Sequence, residues 1–507
     1  MARSPDDVCV VGAGAAGLAL AHDLARRGRT VRLLDAGGSG PGTHPVRHAG
    51  RPHRGSTDGH ALAYGGTTTI WGGQLWPWEP HEFEARPGLG LDGWPIGYDD
   101  VAPYYPRALR LLGVRDTVFG EARARERGVP LPPLRPDVFA YKYSKWAGWR
   151  ARNLGRTVGR ALLRYPGMTV ERGARAVAVE TDAAGECVTA IRVRDADGDE
   201  RAVTAGTYVL AGGVLGTVRL LLASGGLGAG AAWTGRGFMD HLSVRAGRFR
   251  PRDPDRFEEA FAPFYAGGVL HTPRIVPQPD VLEAEGLLGC YGHWELEPPP
   301  DSGPVLVREA LRALQAGRRP DLSPARLGRI AADVPDALRL AAGVAVKKRR
   351  YFPRGALVHL RVDVEQPPDA GSALRLVEGG ARPGDEALVL DWRVSDRERR
   401  SVRRLAELLA GELDRLGVGT LEPAPDVFDD ESAWGEGIAD AYHMMGGTRM
   451  SRTPGTGVVD PDARVHGVDN LFVAGASVFP TGGMANPTLT LMALALRLGE
   501  HLHQRPR

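Results

Sequence analysis

Apolar positions at the start of the chain form a continuous run and then change period. Val8-Cys9-Val10-Val11 has strand length, glycines follow, and from Ala15 to Arg27 the apolar residues recur at helical spacing before a second strand, Thr30 to Leu34. This succession predicts a βαβ opening. Thr169 to Leu210 is strand-rich as well. There Ala174 to Glu180 and Val188 to Arg194 flank a turn at Ala183-Ala184-Gly185, and Thr207 to Leu210 runs into Gly212-Gly213, predicting a meander that returns to the first sheet. Gly65 to Pro106, rich in Gly, Trp and Pro, predicts loops wrapped over a ligand. From about residue 241 to 394, strand-like pieces such as Ala356 to Val364 and Ala387 to Trp392 mix with a basic helical stretch, Val305 to Arg350, which predicts a second domain. Ser395 to Leu416 predicts a helix capped by Ser395, with Leu405, Leu408, Leu409, Leu413 and Leu416 on one core-facing side.

Composition narrows the class. A chain of 507 residues with 43% hydrophobic content has room for a large core and two or three domains. Lys plus Arg at 64 against Asp plus Glu at 61 leaves a net charge of +3, too little field to argue for a nucleic-acid partner. The scattered charges, as in Asp396 to Arg400, read as solvated helix faces. So does Lys347-Lys348-Arg349-Arg350, although that cluster also has the chemistry to dock an electron acceptor or an acidic membrane surface. Three cysteines, Cys9, Cys187 and Cys290, far apart and odd in number, support neither a disulfide framework nor a paired-cysteine zinc site, and no metal is expected. With the first strand at Val8, no apolar leader before it and no long uncharged apolar stretch, a cytoplasmic protein without a membrane span is expected. Sixty-eight glycines and 39 prolines, spread without period, imply many turns and no repeat array.

The first candidate chemistry lies in the opening motif. Gly12-Ala13-Gly14-Ala15-Ala16-Gly17 is a GxGxxG directly after a strand and opening a helix, so its amides and the helix N-terminus are placed to meet a pyrophosphate. Gly12 permits the tight turn, Gly14 lets phosphate approach the backbone, and Gly17 lets the helix pack on the sheet. Asp35, at the end of the second strand and 18 residues after Gly17, is placed to accept ribose hydroxyls and to repel the extra phosphate of NADP. The motif alone does not separate FAD from NAD. Its place near the start of a long chain, with no second copy, leans towards FAD.

The strongest chemistry sits in the last 65 or so residues. They carry Ala441-Tyr442-His443-Met444-Met445-Gly446-Gly447-Thr448-Arg449-Met450, then Val458-Val459-Asp460, then VHGVDNLFVAGASVFPTGGMANPTLT from Val465 to Thr490. Earlier blocks are GGTTTIWGG (Gly65 to Gly73), WPIGYDDVAPYY (Trp94 to Tyr105), GGVLGTVRLLLASG (Gly212 to Gly225), GRGFMDHL (Gly235 to Leu242), Glu365-Gln366 and LDWR (Leu390 to Arg393). In order and spacing the set resembles the glucose-methanol-choline oxidoreductases over nearly the whole chain. The GGTRM and NPTLT forms look most like the pyranose, polyol and C-glycoside oxidising branches.

The resemblance implies an α/β fold: a Rossmann-like FAD-binding domain in three pieces (1–72, 155–240, 440–507), a cofactor-covering segment (73–154), and an interleaved α+β substrate domain (241–439) with an antiparallel sheet plus helices. It implies His443 and Asn486 as the active-site pair facing the flavin. Alcohol oxidation removes a proton from oxygen and a hydride from carbon, so an imidazole base and an amide donor to the same oxygen suit the task. Core packing is the alternative role for His443, and helix capping before Pro487 for Asn486. FAD contacts are implied at Gly65, Gly66, Thr67, Trp71, Gly72, Ala176, Gly212, Gly475, Ala476, Pro487 and Thr488, with Ser477 close to them. Where pyranose oxidases carry the histidine that bonds FAD covalently this chain has Ile70, so non-covalent FAD is expected. His241 is expected to close the domain interface, and His293, His359 and His466 have no motif support.

The expected activity is hydride removal from an alcohol CH–OH, of a sugar, cyclitol or glycosylated natural product, with oxygen or a quinone-type acceptor completing the cycle. An NAD-dependent dehydrogenase would match only the first 35 or so residues. A flavin disulfide reductase needs a close cysteine pair, which is missing. A non-catalytic or differently specialised FAD-binding protein of the same fold is the remaining alternative.

Overall fold

In the computed structural model, residues 6–37, 42–315, 319–321, 323–377, 386–429, 434 and 438–505 are described. The opening strand Val8–Val11 lies at the centre of a five-stranded parallel sheet. Val31–Asp35 and then Met168–Arg172 pair on one side of it, Thr207–Leu210 and then Leu471–Val473 on the other. Its four residues are all buried, as a parallel sheet covered on both faces requires. Helices Ala15–Arg26 and Pro487–Gln504 pack against each other beside this sheet, so the chain's last helix is set against its first. The predicted meander is a separate three-stranded antiparallel sheet, Arg175–Thr181, Val188–Arg194 and Glu200–Val203, before the chain re-enters the parallel sheet at Thr207.

A nine-stranded, antiparallel sheet forms the second layer. Its main path runs through Gly419–Pro423, His241–Pro251, Leu357–Glu365, Cys290–Glu297, Val269–Pro277, Phe139–Trp146 and Gln74–Leu75. Helix Asp396–Arg415 covers it. Ser395 caps that helix, its hydroxyl accepting from the Arg397 amide and forming a reciprocal box with Glu398. Val402, Leu405, Leu409 and Leu413 make the buried stripe, whereas Leu408 and Leu416 lie on its half-buried flank, so the core-facing side is narrower than predicted. Most of Gly65 to Pro106 is loop, interrupted by short 3-10 turns and a two-residue strand, as its punctuation predicts. The stretch predicted as Val305 to Arg350 is three helices, Gly303–Gln315, Pro324–Ala332 and Val334–Ala342, ended by a π-helical turn, Gly343–Lys347. No helix among the described residues is long and apolar enough to cross a membrane.

Candidate active site

A cavity of about 590 Å³ opens where the C-terminal ends of the parallel strands meet the last helix. Gly12, Gly14, Ala15, Ala16, Asp35, Gly66, Thr67, Trp71, Gly72, Ala176, Gly212, Gly475, Ala476, Asn486, Pro487, Thr488 and His443 all line it. Gly17, Gly65 and Ser477 do not. A side chain on Gly17 would meet the Gly12 carbonyl oxygen at 1.9 Å, so this glycine serves the packing of helix on turn. Gly65 has φ +110, and its amide donates to the Ala13 carbonyl at 3.0 Å, which docks the second loop on the first. Ser477 is buried, and its carbonyl accepts from the Thr448 amide.

The glycine pattern fits an elongated cofactor. A Cβ on Gly14, Gly213 or Gly475 would touch nothing within 4 Å, and all three residues line the cavity, so that space is the cavity itself. Asp35 accepts from the Ala13 amide at 2.9 Å through Oδ2 and from the Gly37 amide at 2.9 Å through Oδ1. Burial raises its pKa and these two amides oppose the rise. The carboxylate therefore shapes the glycine turn as well as facing the cavity, and it keeps lone pairs for a ribose. Sequence reasoning missed His44 and His60, which stack on each other in the same wall. His60 Nε2 accepts from the His44 amide at 2.8 Å, which leaves its Nδ1–H a buried donor without a hydrogen-bond partner among the described residues. Neither histidine belongs to a short motif, so no local signal marked them.

At the other end of the cavity His443 and Asn486 meet: Asn486 Nδ2 is 2.8 Å from His443 Nε2. Asn486 occupies the N-cap position of Pro487–Gln504 but makes no capping hydrogen bond, so its side chain is committed to the histidine. Its Oδ1 is buried without a hydrogen-bond partner among the described residues. His241, expected only to close an interface, is part of the same group. Its Nδ1 lies 2.9 Å from His443 Nδ1, and its Nε2 lies 2.8 Å from the Gly483 carbonyl.

These contacts assign every proton. A carbonyl only accepts, so His241 Nε2 carries hydrogen and neutral His241 has its lone pair on Nδ1. That lone pair accepts His443 Nδ1–H, which puts the His443 lone pair on Nε2, facing the Asn486 amide and the cavity. Burial, followed by the field of His241, lowers the His443 pKa to about 4, against the opposing pull of Asp240 and Asp363. The ring keeps one accessible edge, on the cavity, while protein packs around the rest. Tyr442, immediately before it, is held at φ +62, a conformation unusual for a tyrosine, and also lines the cavity.

Asp240 supports the pair from behind. Its Oδ1 accepts from the amides of His241 (2.6 Å) and His443 (2.8 Å), and its Oδ2 from His53 Nε2 (3.1 Å). Burial alone would raise the Asp240 pKa, but the hydrogen bond from His53 and the contact with His443 hold it below the usual range. His53, Asp240 and Asp440 have the proximity of a metal site. The tautomer argues against that role, because His53 Nδ1 accepts from the Ser56 amide at 2.9 Å and the neutral ring therefore carries its proton on Nε2, towards Asp240. The three histidines without motif support engage elsewhere: His293 with Asp363, His359 with Glu297, His466 with Ser451.

A GxGxxG turn at a parallel sheet, a glycine-lined cavity and an imidazole and carboxamide in its wall define a nucleotide-dependent oxidoreductase. The sequence comparisons agree. Residues 7–242 match the FAD dependent oxidoreductase family and residues 368–495 the C-terminal part of the GMC oxidoreductases. Paromamine 6'-oxidase of Streptomyces fradiae is 24% identical, over 97% of this chain and 90% of that protein. C-glycoside 3-oxidase of Microbacterium trichothecenolyticum is 34% identical, over 24% of this chain and 22% of that protein. Among solved structures, pyridoxine 4-oxidase from Mesorbium loti superposes with a TM-score of 0.60 at 17% identity, covering 99% of this chain and 100% of that one, which bears on the fold. The C-terminal match and these relatives support the GMC oxidoreductases as the family, and the chain is an FAD-dependent enzyme.

Proposed function

We propose that this enzyme oxidises an alcohol carbon of a sugar or glycosylated natural product, with His443 as general base and Asn486 as hydrogen-bond partner of the reacting oxygen. The observation that carries the reading is the unprotonated Nε2 of His443, fixed in that tautomer by His241 and set 2.8 Å from the Asn486 amide on the cavity wall. Bound FAD supplies the hydride acceptor. Around it the residues act in a set order. A substrate hydroxyl donates to His443 Nε2 in place of the Asn486 N–H; that N–H then donates to the substrate oxygen as its proton passes to the imidazole. His443 Nδ1–H stays bonded to His241 throughout, and the buried Asp240 carboxylate offsets the positive charge gained by the ring. Paromamine 6'-oxidase and C-glycoside 3-oxidase bear names of glycoside-oxidising enzymes, which supports the substrate class. FAD is held without a covalent bond, since Ile70 occupies the wall where pyranose oxidases have their linking histidine.

The test is anaerobic mixing of the holoenzyme with a panel of sugars, aminoglycosides and C-glycosides, followed by the flavin band. A responsive substrate should bleach it, and oxygen or a quinone dye should restore it. His443→Ala should keep its flavin while reduction slows at least about a hundredfold. Unchanged reduction removes His443 from the role, and a flavin bleached by no alcohol indicates a binding protein rather than an oxidoreductase of this class.

A further inference from the structure

The helices Pro324–Ala332 and Val334–Ala342 and the turn Gly343–Lys347 reverse the usual order of inside and outside. Neither helix has a buried residue among those described, and most of the large apolar side chains face solvent: Leu327, Val334, Leu338 and Val344 are exposed, Leu338 by 65%, and Val346 by 79%, while Ile330 and Leu340 are half-buried. Of the charged side chains of the two helices, Arg326, Asp333, Asp336 and Arg339 are half-buried and Arg329 is exposed. Arg339 pairs with Glu258 and Asp336 at 2.9 Å each, and Asp333 accepts from the Gly303 amide at 2.6 Å. Water gives no reason for that inversion; an apolar partner does.

Charge tells what kind. From Arg308 to Arg354 the sequence has twelve basic residues and four acidic ones, a net of +8 in a chain whose total is +3, so the remainder of the molecule is net acidic. Lys347, Lys348, Arg350 and Arg354 are exposed at the end of the apolar face. Two copies meeting through such a face would oppose like charges. The stretch from Pro324 to Lys347 also has no aromatic residue of the kind that anchors protein interfaces. A stripe of Leu and Val edged by Lys and Arg matches the boundary between acyl chains and anionic headgroups.

We propose that this inverted helical face docks the enzyme on an anionic lipid surface. The holoenzyme would be sedimented with phosphatidylcholine vesicles, pure or containing about one third phosphatidylglycerol, and is expected to bind the anionic ones at least about tenfold more tightly, less so as salt is added. Leu338→Glu with Val346→Glu should abolish binding, and Lys347→Glu with Lys348→Glu should remove most of the anionic preference, each pair leaving flavin content and turnover unchanged. Absence of binding, equal binding to both vesicles, or binding indifferent to Leu338→Glu/Val346→Glu would overturn the assignment. A dimer by light scattering that Leu338→Glu/Val346→Glu dissociates would give the face to a second copy. Retention on immobilised polyglutamate without vesicle binding would give it to an acidic polypeptide.

Discussion

Replacing His241 separates the tautomer argument from simple packing. In His241→Leu the His443 Nδ1–H loses its acceptor. A buried donor without a partner costs about 1–3 kcal/mol. His443 escapes that cost by moving its proton to Nε2, where the amide of Asn486 can turn its open Oδ1 towards it. That tautomer has no lone pair facing the substrate. At tenfold for every ~1.4 kcal/mol, the reactive form falls by about 5- to 150-fold, and the rate constant for anaerobic flavin reduction in stopped flow should fall with it. His241→Asn sets its Oδ1 about where Nδ1 stood, still accepts from His443, and should retain the rate within about threefold. The acid limb supplies a second readout. His443 acts when neutral, so activity is present above its pKa, about 4, and disappears as pH falls through it. Both substitutions remove the field with which His241 lowers that pKa, so both should move the limb to higher pH while only His241→Leu loses rate. Equal loss in both variants with an unmoved limb would mean that His241 merely fills space, and the assignment of the reactive tautomer would fail.

Other expectations follow from the same geometry. Gly14→Val adds atoms only to the cavity, so the protein should fold with a melting temperature near wild type yet purify without flavin, whereas Gly17→Ala, facing the Gly12 carbonyl at 1.9 Å, should lower the melting temperature. Acid precipitation should leave the yellow chromophore in the supernatant, as non-covalent FAD requires; colour in the pellet would contradict it. Burial lowers His44 to about 3 and His443 to about 4, both below the unfolded value of 6.5, so their stabilising contribution is complete above about 6.5 and is lost as pH falls towards those values. Denaturant unfolding at pH 7 and pH 5 should show the loss, and His443→Gln should reduce it.

What the sequence made legible is what neighbouring residues encode. The turn Gly12 to Gly17 is recognisable because strand, glycines and helix follow one another, and Ser395 with Glu398 announces its helix within four positions. Strands predicted from their pattern fall within one or two residues of their observed ends, as at Val31–Asp35 and Leu357–Glu365, whereas the helical stretch Val305 to Arg350 is broken into three helices and a turn. Contacts made across long loops left no such mark. His241 and His443 are 202 residues apart, so nothing near either one announces the pair. His44, His60 and His53 enter the site only through tertiary folding. Gly65 looks like a cofactor contact in its motif, yet the space beside it is filled by the Gly155 backbone and the Thr69 side chain, and only coordinates distinguish a glycine that admits a ligand from one that admits another stretch of chain.

Asp240 shows why the pair at the cavity's end can be neutral at rest and still take a proton. Burial and His241 favour uncharged His443, so Nε2 is open to a hydroxyl at ordinary pH. The opposite requirement arises once the proton has moved, because a buried imidazolium needs a counter-charge. Asp240 provides one without capturing the proton beforehand, since its oxygens accept from two backbone amides and the His53 ring rather than from the His443 ring. A carboxylate bonded directly to His443 Nδ1 would raise the base's pKa in the resting state and fill its lone pair at lower acidity. Placing His241 between ring and carbonyl, and the carboxylate on the backbone, lets one site satisfy both conditions.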